Sequence, residues 1–299
     1  MQIMKRILVC LDRGKMDEHV IQYAALMADV LQSQRVYFIH VVKDVGSKSD
    51  PFKEPMTSDQ HIVKEIDKLI LEHFKSKVET KVVVKKGNSV KKIIRFAHLN
   101  RIELIILGKK PLEESTKTHT AKVTNSSRCS VLLVPSKASC QLKKVMVPLD
   151  FSVNSRMALT KTMEIKQNHD FELMLQHVYF VPTGYHASGK SYEEFAEIME
   201  RNARNEYKKF MKGNEFEIDQ YEMFYTLDDD SKPSDRIYKI GSQQGVDLIV
   251  LASRGRTPAA ALLLGSTAVG LIKYNDDIPY LIVKDKKENM GIFEAIGKL

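Results

Sequence analysis

The chain repeats itself once, with a period near half its length, and this limits its possible folds more than any other feature. Lys5-Arg6-Ile7-Leu8-Val9-Cys10-Leu11-Asp12 matches Lys143-Lys144-Val145-Met146-Val147-Pro148-Leu149-Asp150. Phe38-Ile39-His40-Val41 matches Leu175-Gln176-His177-Val178. Glu103-Leu104-Ile105-Ile106-Leu107-Gly108 matches Asp247-Leu248-Ile249-Val250-Leu251-Ala252, and Ser130-Val131-Leu132-Leu133-Val134 matches Pro279-Tyr280-Leu281-Ile282-Val283. The offsets are 138, 137, 144 and 149, so order is kept while loops differ in length. The spacing predicts domains over 1–138 and 143–285, joined near Ser136-Lys137-Ala138-Ser139, and a C-terminal helical tail over 286–299.

Each half reads as short apolar runs alternating with helical patterns. Uninterrupted apolar strands belong to sheets covered on both faces. Strands are expected near 6–11, 35–42, 80–85, 103–107 and 130–134, then near 144–149, 171–178, 218–226, 247–252 and 280–284. Helices are expected over 17–32, where Val20, Ala24, Met27 and Leu31 recur at three- and four-residue steps, and over 191–212. Alternating strands and helices give an α/β fold: two tandem five-stranded parallel-sheet domains with helices on both faces, Rossmann-like.

Composition excludes several classes. Of 299 residues, 43% are hydrophobic and 28% charged, against a disordered or disulfide-held chain. No run approaches the ~18 apolar residues of a membrane span, which argues against a membrane partner. Cys10, Cys129 and Cys140 are odd in number and lack C-x-x-C spacing, so a reduced, cytoplasmic setting is the simplest expectation. The net charge of +8 is mild. Basic pairs such as Lys85-Lys86, Lys91-Lys92, Lys109-Lys110 and Lys286-Lys287 stand apart along the chain, which weighs against a nucleic-acid footprint.

Open α/β sheets bind ligands beyond the carboxyl ends of their strands. Beyond the fourth strand of the second half come Ala252-Ser253-Arg254-Gly255 and then, after Arg256–Leu264, Gly265-Ser266-Thr267. Glycine lets backbone amides approach phosphate oxygens, and a helix opening at Gly-Ser-Thr offers amides, hydroxyls and a favourable dipole. Taken singly, Gly-Ser-Thr is also an ordinary cap and Arg-Gly-Arg an ordinary turn. Two glycine elements ten residues apart beyond one strand favour a phosphate site.

With these residues in view, the chain resembles a tandem universal stress protein, two copies of the adenine-nucleotide α-hydrolase-like (HUP-type) fold. The family's motif is Gly, two residues, Gly, nine residues, Gly, then Ser or Thr. Gly255, Arg256–Leu264 and Gly265-Ser266 fit it, with Ala252 in place of the first glycine. Val147-Pro148-Leu149-Asp150 matches the family's first-strand ending, and His177-Val178 its second. The resemblance implies ATP, or a related adenine nucleotide, with or without Mg²⁺, in the second half. Pro148, Leu149, Asp150 and Val178 would hold adenosine, Ala252, Arg254 and Gly255 the ribose–phosphate turn, and Gly265, Ser266 and Thr267 the phosphates. His177 reads as a satisfied strand-end histidine.

The first half departs from the motif. Gly108 is followed by Lys109-Lys110-Pro111, and Cys10 stands where the second half has Pro148. Proline cannot donate to phosphate, so the first half reads as structural or as binding something else. Walker, G-x-G-x-x-G, H-E-x-x-H and G-x-S-x-G patterns are all missing. Asp228-Asp229-Asp230 reads as a solvated turn before it reads as a Mg²⁺ site. The sequence thus supports a nucleotide-binding regulator with little or no hydrolysis, more a binding protein than an enzyme. The alternatives are a scaffold acting through protein contacts and a slow ATPase. The final strand of each half resembles the family's pairing edge, so a pseudo-dimer within the chain or a homodimer is expected.

Overall fold

The computed structural model describes residues 4–42, 59–109, 119–214, 216–217, 220–230, 232–253, 264–274 and 277–284. It divides into two compact units, the second spanning Leu142–Lys284. The expected tail over 286–299 lies outside the described residues.

The first unit runs β1 (Arg6–Leu11), α1 (Asp17–Val30), β2 (Arg35–Val42), α2 (Asp59–His73), β3 (Glu79–Lys86), α3 (Ser89–Leu99), β4 (Leu104–Lys109), α4 (His119–Ser126) and β5 (Ser130–Pro135). Its strands are parallel, in the order β3-β2-β1-β4-β5. The second unit runs β6 (Lys144–Pro148), α5 (Val153–Lys166), β7 (Glu172–Tyr179), α6 (Tyr192–Gly213), β8 (Glu222–Leu227), α7 (Pro233–Gln243), β9 (Leu248–Ala252), α8 (Ser266–Tyr274) and β10 (Tyr280–Val283). Its order, β10-β9-β6-β7-β8, is the same one. Both units are the expected α/β sheets, and both reverse strand order beside their first strand. β8 starts at Glu222 rather than near 218, because its ladder with β7 begins at Met174↔Glu222.

The central strands are the core. Ile7, Leu8, Val9, Leu104, Ile105 and Ile106 are fully buried in the first unit, and Met146, Val147, Ile249 and Val250 in the second. Helix entries follow their sequences. Asn88 accepts from the Lys91 amide at 3.0 Å to start α3, and Ser152 accepts from the Ser155 amide at 3.1 Å to start α5. Ser191 and Glu194 form a reciprocal capping box before α6, and Pro233 opens α7.

One device appears in both units. Glu103, just before β4, accepts from the Lys5 amide at 2.5 Å. Asp247, just before β9 and buried, accepts from the amides of Lys143 and Lys144 at 2.8 and 3.0 Å. A carboxylate thus fastens the bottom of the first strand to that of the fourth, fixing the register of the two strands whose upper ends flank the switch point.

Helix α8 is placed by a close approach to α7. A Cβ on Gly270 would come within 2.4 Å of Ser234 Oγ and 2.7 Å of Ser234 Cβ. Gly270→Ala is therefore expected to destabilise the second unit by about 1–3 kcal/mol through overpacking, read from urea unfolding. Ser234→Gly in the same chain should recover part of that loss, since it removes the atoms struck.

Candidate functional site

The site residues named by the sequence lie at the carboxyl ends of β6, β7 and β9. In β6, Leu149 donates its N–H to the Gln176 carbonyl at 2.7 Å. Successive N–H groups along a strand point to opposite neighbours. If Leu149 points toward β7, then residue 148 points toward β9, and residue 148 is proline, which has no N–H. The β6–β9 ladder accordingly ends at Met146↔Ile249. In the first unit, with Cys10 at that place, the matching ladder runs on to Cys10↔Leu107. The ladder that stops short of the proline in one copy thus runs two positions further in the other.

Beyond Pro148 the chain bends sharply. Asp150, half-buried, accepts from the Ser152 amide at 3.1 Å through Oδ1. Phe151 takes φ 61°, the left-handed region that a bulky residue rarely adopts. It is held there by stacking on His177, with ring centroids 4.3 Å apart, and by Tyr207 and Phe210 of α6. His177 Nδ1 donates to the Leu149 carbonyl at 2.7 Å. The first unit repeats this geometry. Arg13 also takes φ 61°, His40 Nδ1 donates to the Leu11 carbonyl at 3.0 Å, and Arg13 reaches Glu65 of α2. Each histidine fixes its bend through a backbone carbonyl.

On the β9 side, Ala252 ends the strand half-buried. Arg254 and Gly255 lie outside the described residues. Beyond them Gly265 returns to the sheet, donating to the Ser253 carbonyl at 2.8 Å, and its own carbonyl accepts from Val269 at 3.0 Å to start α8. Amides at the beginning of a helix have no intrahelical acceptor. Those of Ser266, Thr267 and Ala268 carry no hydrogen bond among the described residues, and Ser266 is exposed. Three donors and the positive end of the helix dipole thus stand at the carboxyl end of β9, as an anion requires. Val178 is half-buried near the end of β7. The structure therefore brings Pro148, Leu149, Asp150 and Val178 to the ends of β6 and β7, and Ala252, Gly265, Ser266 and Thr267 to the end of β9.

The replacement of glycine by Ala252 has a packing context. In the first unit a Cβ on Gly108 would lie 3.1 Å from Val20 Cγ2 and 3.4 Å from Met16 Cε. In α5, which packs on β9, the place of Val20 is taken by Ala158. The smaller helix residue leaves room for the larger strand residue.

Two residues that sequence reasoning passed over bear on the sites. Gln176 is fully buried where the first unit has Ile39. Its Nε2 donates to Thr226 Oγ1 at 3.1 Å and to the Arg236 carbonyl at 3.2 Å, tying β7 to β8 and to the first turn of α7. A polar residue within an apolar strand run was the available signal. Asp17, 3% exposed, accepts from the amides of Asp12 and Arg13 at 3.2 and 2.8 Å. It seals the first-unit bend with its own carboxylate. Its counterpart Ser155 turns instead to the carbonyl of its own cap, Ser152, at 3.0 Å.

Asp228-Asp229-Asp230 is a turn closed on itself. Asp228 accepts from the amides of Asp230 and Lys232, and all three carboxylates face Arg236 at 3.2–3.7 Å. No cluster of three or more metal-ligating side chains occurs among the described residues, and none of their helices is long and apolar enough to cross a membrane.

A model of the universal stress protein family matches the chain twice, over residues 4–135 and 141–284. The chain belongs to the universal stress protein family. Universal stress protein MJ0577 of Methanocaldococcus jannaschii is 29% identical over 162 residues, covering 50% of this chain and 98% of that protein. Universal stress protein MJ0531 of the same organism is 30% identical over 149 residues, covering 49% of this chain and 84% of its own. Each of these relatives thus spans about half of the duplicated chain. Two Pseudomonas aeruginosa structures share the fold at TM-score 0.69 and 15% identity: the functionally unknown protein PA1789, covering 100% of this chain and 99% of its own, and a putative universal stress protein, covering 99% of both. A universal stress protein from Archaeoglobus fulgidus follows at TM-score 0.61 and 17% identity, covering 93% of this chain and 96% of its own.

Asp17 gives the first unit a pH signature. Burial pushes its carboxyl up to about 6, although the two amides oppose the rise. A carboxyl raised in the folded state binds more protons there than when unfolded, so stability falls as pH climbs from about 4 to about 6. Urea midpoints between pH 4 and 7 should show this decline in wild type and a flatter profile in Asp17→Asn.

Proposed function

We propose that the chain is an adenine-nucleotide-binding regulator that holds ATP in the second unit and hydrolyses it little or not at all. The observation that carries this reading is the pairing of a crevice opened at Pro148 with the unoccupied amides of Ser266, Thr267 and Ala268 at the start of α8. A polyphosphate fits such donors, and the donor set is electrophilic throughout. Gly265 and the α8 amides would hold phosphates, with the Ser266 and Thr267 hydroxyls beside them. Pro148, Leu149, Asp150 and Val178 would border the nucleoside. Ala252, with Arg254 and Gly255 beyond it, would line the ribose–phosphate turn. A Mg²⁺ ion would travel with the nucleotide and share charge with these donors.

Binding without fast turnover agrees with the loop chemistry, since residues 254–263 contain no Asp, Glu or His to act as a base on water. The first unit lacks the same arrangement. Its ladder stays closed to Cys10, Asp17 occupies its bend, and buried Lys109 stands where the second unit has Ser253. Membership of the universal stress protein family supports the same assignment.

Protein purified gently and then denatured should release an adenine nucleotide, identified by mass spectrometry. Gly265→Val is expected to weaken ATP binding by more than tenfold, because its side chain enters the phosphate approach, while thermal unfolding stays near wild type. Pro148→Ala should also weaken binding, by restoring the donor that extends the β6–β9 ladder, seen in hydrogen exchange as a protected amide at residue 148 that proline does not have. Undiminished affinity in both variants would remove the site. Phosphate release above the Gly265→Val background at several turnovers per minute would make the protein an ATPase instead.

A further inference from the structure

The net charge of the chain is +8, and residues 80–102 alone hold seven Lys and Arg with no Asp or Glu. This segment comprises most of β3, all of α3 and the turns around them. The corresponding stretch of the second unit, Glu222–Gln243, holds five Asp and Glu against three Lys and Arg. Two copies of one supersecondary element have diverged to opposite charge, so the fold itself does not demand the basic one.

Strand register gathers the charges that the sequence keeps apart. Tyr37, Ile39 and Val41 of β2 pair with Lys81, Val83 and Lys85 of β3, and paired residues of parallel strands share a face. Tyr37 packs edge-on against Phe96 of α3 at 5.4 Å, so this is the α3 face. Lys81 and Lys85 therefore project on the side where α3 lies, and both are exposed. On α3 itself, Lys91 and Arg95 are exposed one turn apart, and Lys92 is half-buried beside them. None of these five forms an ion pair among the described residues. Lys86, on the other face, is taken by Asp59 at 3.1 Å. Glu79, the acid of β3, is taken by Arg35. β3 has only β2 as a neighbour in its unit, so the basic surface continues to a sheet edge.

We propose that the β3–α3 face of the first unit binds nucleic acid through its phosphate backbone, independently of the nucleotide site in the second unit. Five unpaired cations on one face match a row of phosphates. The partner needs no particular sequence, because Phe96, the aromatic ring of α3, is packed inward on Tyr37 and offers no platform for a base. Association through phosphates releases counterions and falls steeply with salt.

The test is fluorescence anisotropy of a labelled 20-base-pair duplex between 50 and 200 mM salt, with thermal unfolding to confirm the fold of each variant. Each phosphate contact contributes about −0.9 to the logarithmic salt slope, so five contacts predict about a 500-fold loss of affinity across this range. Lys91→Gln with Arg95→Gln should leave about a 40-fold loss and weaker binding at 50 mM, since two contacts are gone. Gly265→Val should bind the duplex as wild type does, with or without ATP, which separates this surface from the nucleotide reading. No anisotropy change at 50 mM salt, or a slope unaltered by the two substitutions, would overturn the proposal. So would tighter binding to polyglutamate or to anionic phosphatidylserine vesicles than to the duplex.

Discussion

The second unit depends on a hydrogen bond that cannot form. Residue 148 directs its backbone nitrogen toward β9, and as proline it has nothing to donate. Asp247 fastens the same two strands at their other ends, so β6 and β9 are held at the bottom and released at the top. A parallel sheet at its reversal point already leaves room for a ligand. Two ladder positions are lost there while the core stays intact, because Val145, Met146 and Ile249 remain buried beneath them.

The surrounding parts are arranged to keep that opening in one shape. His177 grips the Leu149 carbonyl and carries the Phe151 ring on its face, which holds the bend in a backbone conformation a phenylalanine would not choose alone. Gln176 fixes the first turn of α7, and the Ser234–Gly270 contact passes that position on to α8. The helix amides are thus aimed by the packing of α8 on α7. The first unit keeps the same frame and fills it. Its strands stay paired to Cys10, its bend is capped by Asp17, and its cations face outward along β3 and α3.

Much of this could be read in advance. The repeat, the strand positions and the glycine spacing before Ser266 are local patterns, and local patterns survive in a one-dimensional string. The later start of β8 was not visible, because pairing with β7 and not apolar character decides where it begins. Asp17 escaped notice because an acid in the first turn of a helix is commonplace, and only its burial against two amides makes it a seal. Gln176 sits within a strand repeat that says nothing of its amide, which organises the neighbouring helix.

By itself the sequence determined that there are two α/β units of one ancestry, and that only the second keeps the glycine spacing before Ser266. Tertiary structure decided which ladder is cut short, because the effect of Pro148 depends on which neighbour its missing N–H would have faced. It also decided that Lys81 and Lys85 lie on the side of the sheet that carries α3, with Lys91 and Arg95 exposed on that helix. Side-chain direction follows from strand register and helix packing, and both are set by partners distant in the chain.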